Sequence, residues 1–267
     1  MAQPQLKAVA FDLDGTLYLG SAVLPGAVEL VRSLTAAGKT VLFVTNNSSV
    51  ARTQYLDRLT AMGLTATADQ LITSNDVAIA QLRELGFSAP FLLATPAVTE
   101  EYRRNGLDVD STRRDAVVLT FDTTLSYDKL RQAARYILQG LPYFATHPDL
   151  VCPTPEGPIP DCGSFMALLR AATGVSPKVF GKPEPPMARA IIRRCQAPPE
   201  AIAFVGDRLY TDIRMANENG MLAILTLTGE SSLDDLGSSP YKPDLVVRSL
   251  NELATEFDSA TGIRGRQ

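Results

Sequence analysis

The sequence predicts an α/β fold with a parallel sheet and a smaller α/β domain inserted into the larger one. Short apolar, β-prone runs such as 9–11 and 40–44 lack a polar alternation, which indicates strands buried on both faces. Polar residues follow these runs directly, at the sheet edge where open α/β sheets bind their ligands. The pattern of elements changes over about 87–177, and this segment is the predicted insertion.

The composition excludes several classes of protein. The chain has 267 residues, 45% hydrophobic and 20% charged, as in ordinary globular proteins. A net charge of −4 without a basic patch argues against nucleic-acid binding. No apolar stretch is long enough to span a bilayer and 1–7 has no signal core, so we expect a cytoplasmic protein. Three cysteines without paired spacing indicate neither a disulfide framework nor a zinc site.

The first predicted strand, 9–11, ends at two acids. Asp12 and Asp14 are two residues apart, so in an extended chain both face one point beyond the strand. Carboxylates this close repel each other unless a cation or a proton separates them, and Mg²⁺ is the preferred hard ion. A bare Asp-x-Asp is more often a solvated turn, but the buried strand and the following Gly15-Thr16 favour a site.

The second predicted strand, 40–44, leads into Thr45-Asn46-Asn47-Ser48-Ser49. The Thr45 hydroxyl and the backbone N–H groups of the following turn suit a phosphate oxygen. Ser48 or Ser49 also suits the N-cap of the helix predicted over 50–62.

The predicted insertion has its own strands and helices. Strands are expected at 91–93 and 117–119, and helices at 99–105 and 127–139. A stretch with five prolines, 146–163, follows them as a long loop. We therefore predict a catalytic domain formed by 1–86 and 178–267, with 87–177 as a cap domain.

Two further charged positions follow predicted strands in the resumed main domain. Lys182 lies in Gly181-Lys182-Pro183, where a point positive charge would offset the acids and a bound phosphoryl group. Asp207 follows the strand over 201–205 and is placed to complete a metal site. Asp212 either supports that site or is the acid that a helix N-terminus favours.

These positions form four motifs in the order of one family. The chain resembles the haloacid dehalogenase superfamily of phosphohydrolases over nearly its whole length, through the following segments: Asp12-x-Asp14-Gly15-Thr16, Thr45, Gly181-Lys182-Pro183 and Gly206-Asp207-Arg208-x-x-x-Asp212. The resemblance implies a Rossmann-like core and a magnesium-dependent phosphatase. It implies Asp12 as the nucleophile and Asp14 as the acid and base. Mg²⁺ would be held by Asp12, the Asp14 carbonyl and Asp207, and the phosphate by Thr45, Asn46 and Lys182.

The position of the insertion between Thr45 and Lys182 indicates a cap of the second type. The chain resembles the subfamily of nucleotide, sugar-phosphate and p-nitrophenyl phosphate phosphatases through this position and through the following segments: Thr45-Asn46-Asn47, Ala145-Thr146-x-Pro148-Asp149, Gly157-x-x-Pro160 and Gly181-Lys182-Pro183-Glu184-Pro185. It departs from that subfamily twice: His147 replaces the usual Asn in a Thr-x-Pro-Asp segment that ends at Asp149, and Asp161 replaces a usual Gly. His147, the single histidine of the chain, is either a contact to the leaving group or an exposed loop residue. The role of Asp161 is equally open. The resemblance implies that the cap loop with His147, Asp149 and Asp161 lies over the substrate and sets specificity.

The sequence thus predicts a Mg²⁺-dependent phosphomonoesterase for a small phosphorylated metabolite. A phosphotransferase or phosphomutase would share the aspartyl-phosphate step, and a catalytically silent metabolite sensor is the third reading. The retention of both Asp12 and Asp14 favours hydrolysis over sensing. The resemblance also implies a homodimer through the cap, although the apolar cap residues suit a domain core equally well.

Overall fold

The protein was analysed as a computed structural model that describes residues 6–154 and 156–259. The chain divides into two compact units. The first unit comprises Met1–Thr45, Leu56–Ile72 and Ala188–Gln267, and the second comprises Asn46–Tyr55 and Thr73–Met187. The segment predicted as a cap, 87–177, lies within the second unit.

The strands are β1 Ala8–Phe11, β2 Tyr18–Leu19, β3 Ala22–Val23, β4 Thr40–Thr45, β5 Leu71–Thr73, β6 Pro90–Leu93, β7 Ala116–Leu119, β8 Tyr143–Ala145, β9 Val151–Cys152, β10 Ile159–Pro160, β11 Lys178–Val179, β12 Ile202–Gly206, β13 Leu222–Thr226 and β14 Leu245–Val247. The helices are α1 Ala27–Ala36, α2 Arg52–Ala61, α3 Ser74–Glu84, α4 Pro96–Arg104, α5 Tyr127–Leu138, α6 Cys162–Thr173, α7 Pro185–Cys195, α8 Arg214–Glu218, α9 Asp235–Ser238 and α10 Leu250–Ser259. Among the described residues, none of these helices has both the length and the apolar character that crossing a bilayer requires.

The first unit contains a sheet with the strand order β14-β13-β12-β1-β4-β5. Strands β14, β13, β12, β1 and β4 pair in parallel. All four residues of β1 are buried, as expected for a central strand covered on both faces. Helix α1 buries one side through Ala27, Leu30, Val31 and Leu34. The predicted α/β fold with a parallel sheet is therefore confirmed.

The register of this sheet brings three strand ends together. Phe11, the last residue of β1, lies opposite Val205 of β12 on one side and Phe43 of β4 on the other. The backbone N–H of Asp12 then donates to the carbonyl of Val205 at 2.8 Å. The carboxyl ends of β1, β4 and β12 consequently lie side by side at one edge of the sheet.

The second unit has its own parallel sheet, with the strand order β11-β8-β7-β6. Its core includes the following buried residues of the sheet, of the segment after β7 and of α5 and α6: Phe91, Leu93, Val117, Leu119, Phe121, Ala133, Ile137, Tyr143, Ala145, Cys162 and Leu169. Helix α4 begins three residues earlier than predicted, because the Thr95 hydroxyl accepts from Val98 N and Pro96 occupies the first turn. The proline-rich stretch contains the antiparallel pair of β9 and β10.

The predicted N-cap of the helix after Thr45 is wrong. Helix α2 begins at Arg52, after both serines. The Ser48 hydroxyl instead accepts from the Phe121 N–H at 2.8 Å and pairs with the Thr146 hydroxyl at 2.8 Å. A long-range contact within the second unit thus replaces the local cap that the sequence suggested.

The start of α2 is held by a group of charged side chains in the second unit. The Glu101 carboxylate accepts from the Arg52 backbone N–H at 3.3 and 3.4 Å, and the Arg52 guanidinium pairs with Asp76 at 2.7 Å. Burial, together with the nearby Asp76 charge, raises the pKa of Glu101 to about 7. The folded protein therefore retains a proton here that the unfolded chain releases near pH 4.5.

The proton that Glu101 retains in the folded state makes the stability of the protein depend on pH. Because the folded state binds more protons than the unfolded state between about pH 4.5 and 7, the free energy of unfolding should fall as pH rises through this window. Glu101→Gln removes the titration, so the wild type should lose about 1–3 kcal/mol relative to this variant between pH 5 and 8. Urea unfolding at several pH values measures the difference. The matched control is Glu29→Gln, at an exposed position of α1; parallel curves for wild type and Glu101→Gln would contradict the account.

Candidate active site

Asp12 is the first residue after β1, at the centre of the sheet edge in the first unit. Its side chain is 7% exposed, and the Thr16 hydroxyl donates to its Oδ2 atom at 3.4 Å. The Asp12 carboxylate is therefore held at the end of the central strand, where the sequence placed the nucleophile.

Asp207 follows β12, the neighbour of β1, and is 2% exposed. Its Oδ2 atom accepts from the Glu230 N–H at 2.7 Å, and its carbonyl accepts from the Ser231 N–H at 3.1 Å. The loop after β13 thus wraps around Asp207 and fixes its carboxylate.

Glycines create the space for this carboxylate. A Cβ atom at Gly15 would lie 2.5 Å from Asp207 Oδ2, and one at Gly229 would lie only 2.0 Å from it. Gly15 also has φ +86°, a conformation that glycine adopts without strain. Sequence reasoning missed Gly229. The available signal was the pair Thr228-Gly229, which follows β13 after one intervening residue.

Asp212 joins the two other acids. It is fully buried in the π-helical turn Leu209–Ile213, and its Oδ2 atom accepts from the Arg208 N–H at 3.1 Å. Carboxylate oxygens of Asp12, Asp207 and Asp212 lie within 4.8 Å of one another. Asp212 is therefore a member of the carboxylate cluster and more than a helix-terminal acid.

The cluster of Asp12, Asp207 and Asp212 fits a divalent metal ion. Three buried carboxylates at this separation repel one another strongly unless a cation or protons compensate them. The donor set consists of carboxylate oxygens, which hard ions such as Mg²⁺ and Ca²⁺ prefer. The predicted metal residues Asp12 and Asp207 are thus brought together, with Asp212 beside them.

Asp14 and Thr45 also lie at this edge of the first unit. The Tyr18 hydroxyl donates to Asp14 Oδ2 at 3.2 Å, and the Gly15 N–H donates to the Tyr18 carbonyl at 2.8 Å. Asp14 is thereby attached to the short hairpin of β2 and β3, and the Arg58 guanidinium lies 4.5 Å above the Tyr18 ring. Thr45 is the buried last residue of β4.

Asn46 and Lys182, which the sequence assigned to phosphate, meet within the second unit. The Asn46 amide donates to the Lys182 carbonyl at 3.0 Å and accepts from the Lys182 N–H at 2.8 Å. Both residues are buried. Gly181 permits this contact, because a Cβ atom there would lie 2.7 Å from Asn46 Oδ1 and 2.4 Å from the Thr146 carbonyl.

The three residues predicted to set specificity form a second buried cluster in the same unit. His147 is 0% exposed, so its reading as an exposed loop residue is wrong. Its Nδ1 atom lies 3.4 Å from Asp149 Oδ2, and its Nε2 atom lies 3.5 Å from Asp161 Oδ1. Asp161 is also the N-cap of α6, accepting from the Cys162 N–H.

Residues 9–108 match a family model described as haloacid dehalogenase-like hydrolase, and residues 179–253 match a related one. A 5′-nucleotidase of Bacillus subtilis is 31% identical over 92% of this chain and 96% of that protein. The chain belongs to the haloacid dehalogenase-like hydrolases. The predicted family, with its phosphatase subfamily of the second cap type, is thereby confirmed.

Further proteins to which this hydrolase is similar are phosphatases by name. An acid sugar phosphatase of Staphylococcus aureus is 30% identical over 95% of this chain and 99% of its own. A 4-nitrophenylphosphatase of Thermotoga maritima has a TM-score of 0.89 and 40% identity, covering 94% of this chain and 97% of that one. A glycerol phosphate phosphatase of Mycobacterium tuberculosis was solved in complex with calcium. It has a TM-score of 0.84 and 33% identity, and the match covers 92% of this chain and 74% of that one.

The packing of Gly229 against Asp207 predicts a selective defect in Gly229→Ala. The added methyl group collides with Asp207 Oδ2, so the Mg²⁺ concentration for half-maximal phosphatase activity should rise about 10- to 100-fold. Magnesium titrations of phosphate release measure the shift.

The matched control is Gly237→Ala in α9, where an added Cβ would meet nothing within 4 Å. This variant should keep the wild-type magnesium dependence. A Gly229→Ala enzyme with an unchanged magnesium titration would show that Asp207 does not serve the ion.

Proposed function

We propose that this hydrolase is a Mg²⁺-dependent phosphomonoesterase that cleaves a small phosphorylated metabolite through an aspartyl phosphate on Asp12. The observation that carries the proposal is the buried cluster of Asp12, Asp207 and Asp212 at the end of the central strands. The phosphatases among the relatives support the same reaction class.

The first step is attack of an Asp12 carboxylate oxygen on phosphorus, which breaks the bond to the ester oxygen. Asp14 donates a proton to this leaving oxygen. In the second step Asp14 takes a proton from water, and the water oxygen attacks the phosphorus of the aspartyl phosphate and regenerates Asp12. Two displacements replace one difficult attack by water. The hydrogen bond from Tyr18 orients the Asp14 carboxylate for both proton transfers.

Asp12, Asp207 and the Asp14 carbonyl would hold the Mg²⁺ ion, with Asp212 beside them. A bound ion of this kind reduces the repulsion between a carboxylate nucleophile and a phosphate dianion. The Glu230 and Arg208 backbone N–H groups keep Asp207 and Asp212 in place. Geometric alignment and charge compensation are the main requirements of phosphoryl transfer.

The phosphate is assigned to Thr45, Asn46 and Lys182 on the basis of the sequence motifs. The two hydrogen bonds between the Asn46 amide and the Lys182 backbone support a joint role for these residues. Substrates named for the relatives suggest a nucleoside monophosphate, a sugar phosphate or glycerol phosphate. A homodimer through the predicted cap, 87–177, stays a prediction.

The nucleophile is tested with Asp12→Asn. The amide cannot form the aspartyl phosphate, so phosphate release from p-nitrophenyl phosphate and from sugar phosphates should fall on the order of 10³- to 10⁶-fold. Asp57→Asn, at an exposed position of α2, is the control and should behave as wild type. Substantial turnover by Asp12→Asn would refute the covalent route.

The acid and base role is tested with Asp14→Asn. p-Nitrophenolate leaves without protonation, so this variant should still transfer phosphate to Asp12 but hydrolyse the intermediate slowly. Acid-quenched protein should then carry one added phosphoryl group by intact mass, located on the peptide that contains Asp12. A variant that turns over at the wild-type rate, or one that never becomes phosphorylated, would assign the proton transfers elsewhere.

A further inference from the structure

The buried cluster of His147, Asp149 and Asp161 favours one charge state of the histidine. Each ring nitrogen faces a different carboxylate, at 3.4 and 3.5 Å. In either neutral tautomer one nitrogen carries a lone pair, which would face a carboxylate oxygen. An imidazolium presents an N–H on both sides. The same three side chains also offer ligand atoms within 4.8 Å of one another, so a bound metal ion is the alternative that the experiment must separate from an ion pair.

The two carboxylates lie at opposite ends of the loop 149–161, and each is anchored. Asp161 caps α6, and its backbone N–H donates to the Leu150 carbonyl at 3.0 Å. The Gly163 N–H donates to the Asp149 carbonyl at 2.8 Å, and a Cβ atom at Gly163 would lie 2.2 Å from the Pro148 carbonyl. His147 therefore bridges two ends that the backbone already holds close together.

A chain of polar contacts leads from this bridge to Lys182. The Asn46 amide nitrogen donates to the Asp149 carboxylate at 3.2 and 3.4 Å. The same amide group donates to the Lys182 carbonyl and accepts from the Lys182 N–H. Asp149 thus contacts both the imidazole of His147 and the amide that fixes the Lys182 backbone.

We propose that His147 is a positioning residue: its imidazolium joins the ends of the loop 149–161 and, through Asp149 and Asn46, holds the backbone of Lys182. His147 and Asp161, the two positions at which this chain departs from its subfamily, then form one ion pair. This inference rests on the proposed function, because it uses Lys182 as a phosphate ligand.

The pairing predicts that introducing the usual subfamily residue at position 147 or 161 alone weakens phosphate binding, whereas introducing both together does not. His147→Asn leaves the buried Asp161 carboxylate without its opposite charge, and Asp161→Gly leaves the imidazolium with only one carboxylate. Each single variant should raise the inhibition constant for inorganic phosphate about tenfold. The double variant should stay within about threefold of wild type, because the introduced amide at position 147 can still donate to Asp149, no unpaired charge is left at position 161, and glycine is tolerated at the N-cap of α6.

The charge state is read independently of activity by NMR. His147 is the single histidine of the chain, so untagged protein gives one set of ring nitrogen signals. At neutral pH the wild type should show protons on both ring nitrogens, and Asp161→Gly should show a proton on one. Wild-type protein with one ring proton would overturn the inference, as would a stoichiometric transition metal that is lost in His147→Asn.

The phosphate measurements decide the positioning role. Single variants that lower the unfolding temperature without changing the inhibition constant would show a purely structural pair and overturn the inference. Additive losses in the double variant would overturn it as well. Wild-type protein that neither hydrolyses p-nitrophenyl phosphate nor binds phosphate would overturn the proposed function first, and this inference with it.

Discussion

Electrostatic repulsion among buried carboxylates is the constraint on which the candidate active site of this protein depends. Asp12 and Asp207 end adjacent strands of a parallel sheet, so the register of the sheet alone brings their charges together. Asp212 adds a third charge from the turn after β12. Desolvated charges of one sign are costly. In the function proposed here, a divalent ion would offset this cost and would also reduce the repulsion of a phosphate ester.

The rest of the first unit holds these carboxylates in place. Backbone N–H groups of Glu230 and Arg208 fix Asp207 and Asp212, and glycines leave room for the oxygens. The second unit also buries two carboxylates close together, those of Asp149 and Asp161, and there a histidine lies between them. The amide of Asn46 connects Asp149 to the Lys182 backbone.

The strands and the acids at their ends could be predicted because both signals are local. A short apolar run followed by Asp or Thr indicates a buried strand and its ligand-binding end, as at Asp12 and Thr45. Long-range contacts could not be predicted in this way. Ser48 contacts Phe121 and Thr146 instead of capping α2, and Gly229 packs against Asp207. The Nε2 atom of His147 lies 3.5 Å from the Asp161 carboxylate, on the far side of an intervening loop.

Isothermal titration of Mg²⁺ into chelator-treated protein, without substrate, tests most directly whether the carboxylate cluster is a cation site. Wild-type protein should bind one Mg²⁺ per chain, because the three carboxylates already lie together in the folded protein. Asp207→Asn should show no saturable binding, because one of the anchored carboxylates is lost. A wild-type protein that binds no Mg²⁺, or an Asp207→Asn variant that binds it as tightly as wild type, would contradict this description of the site.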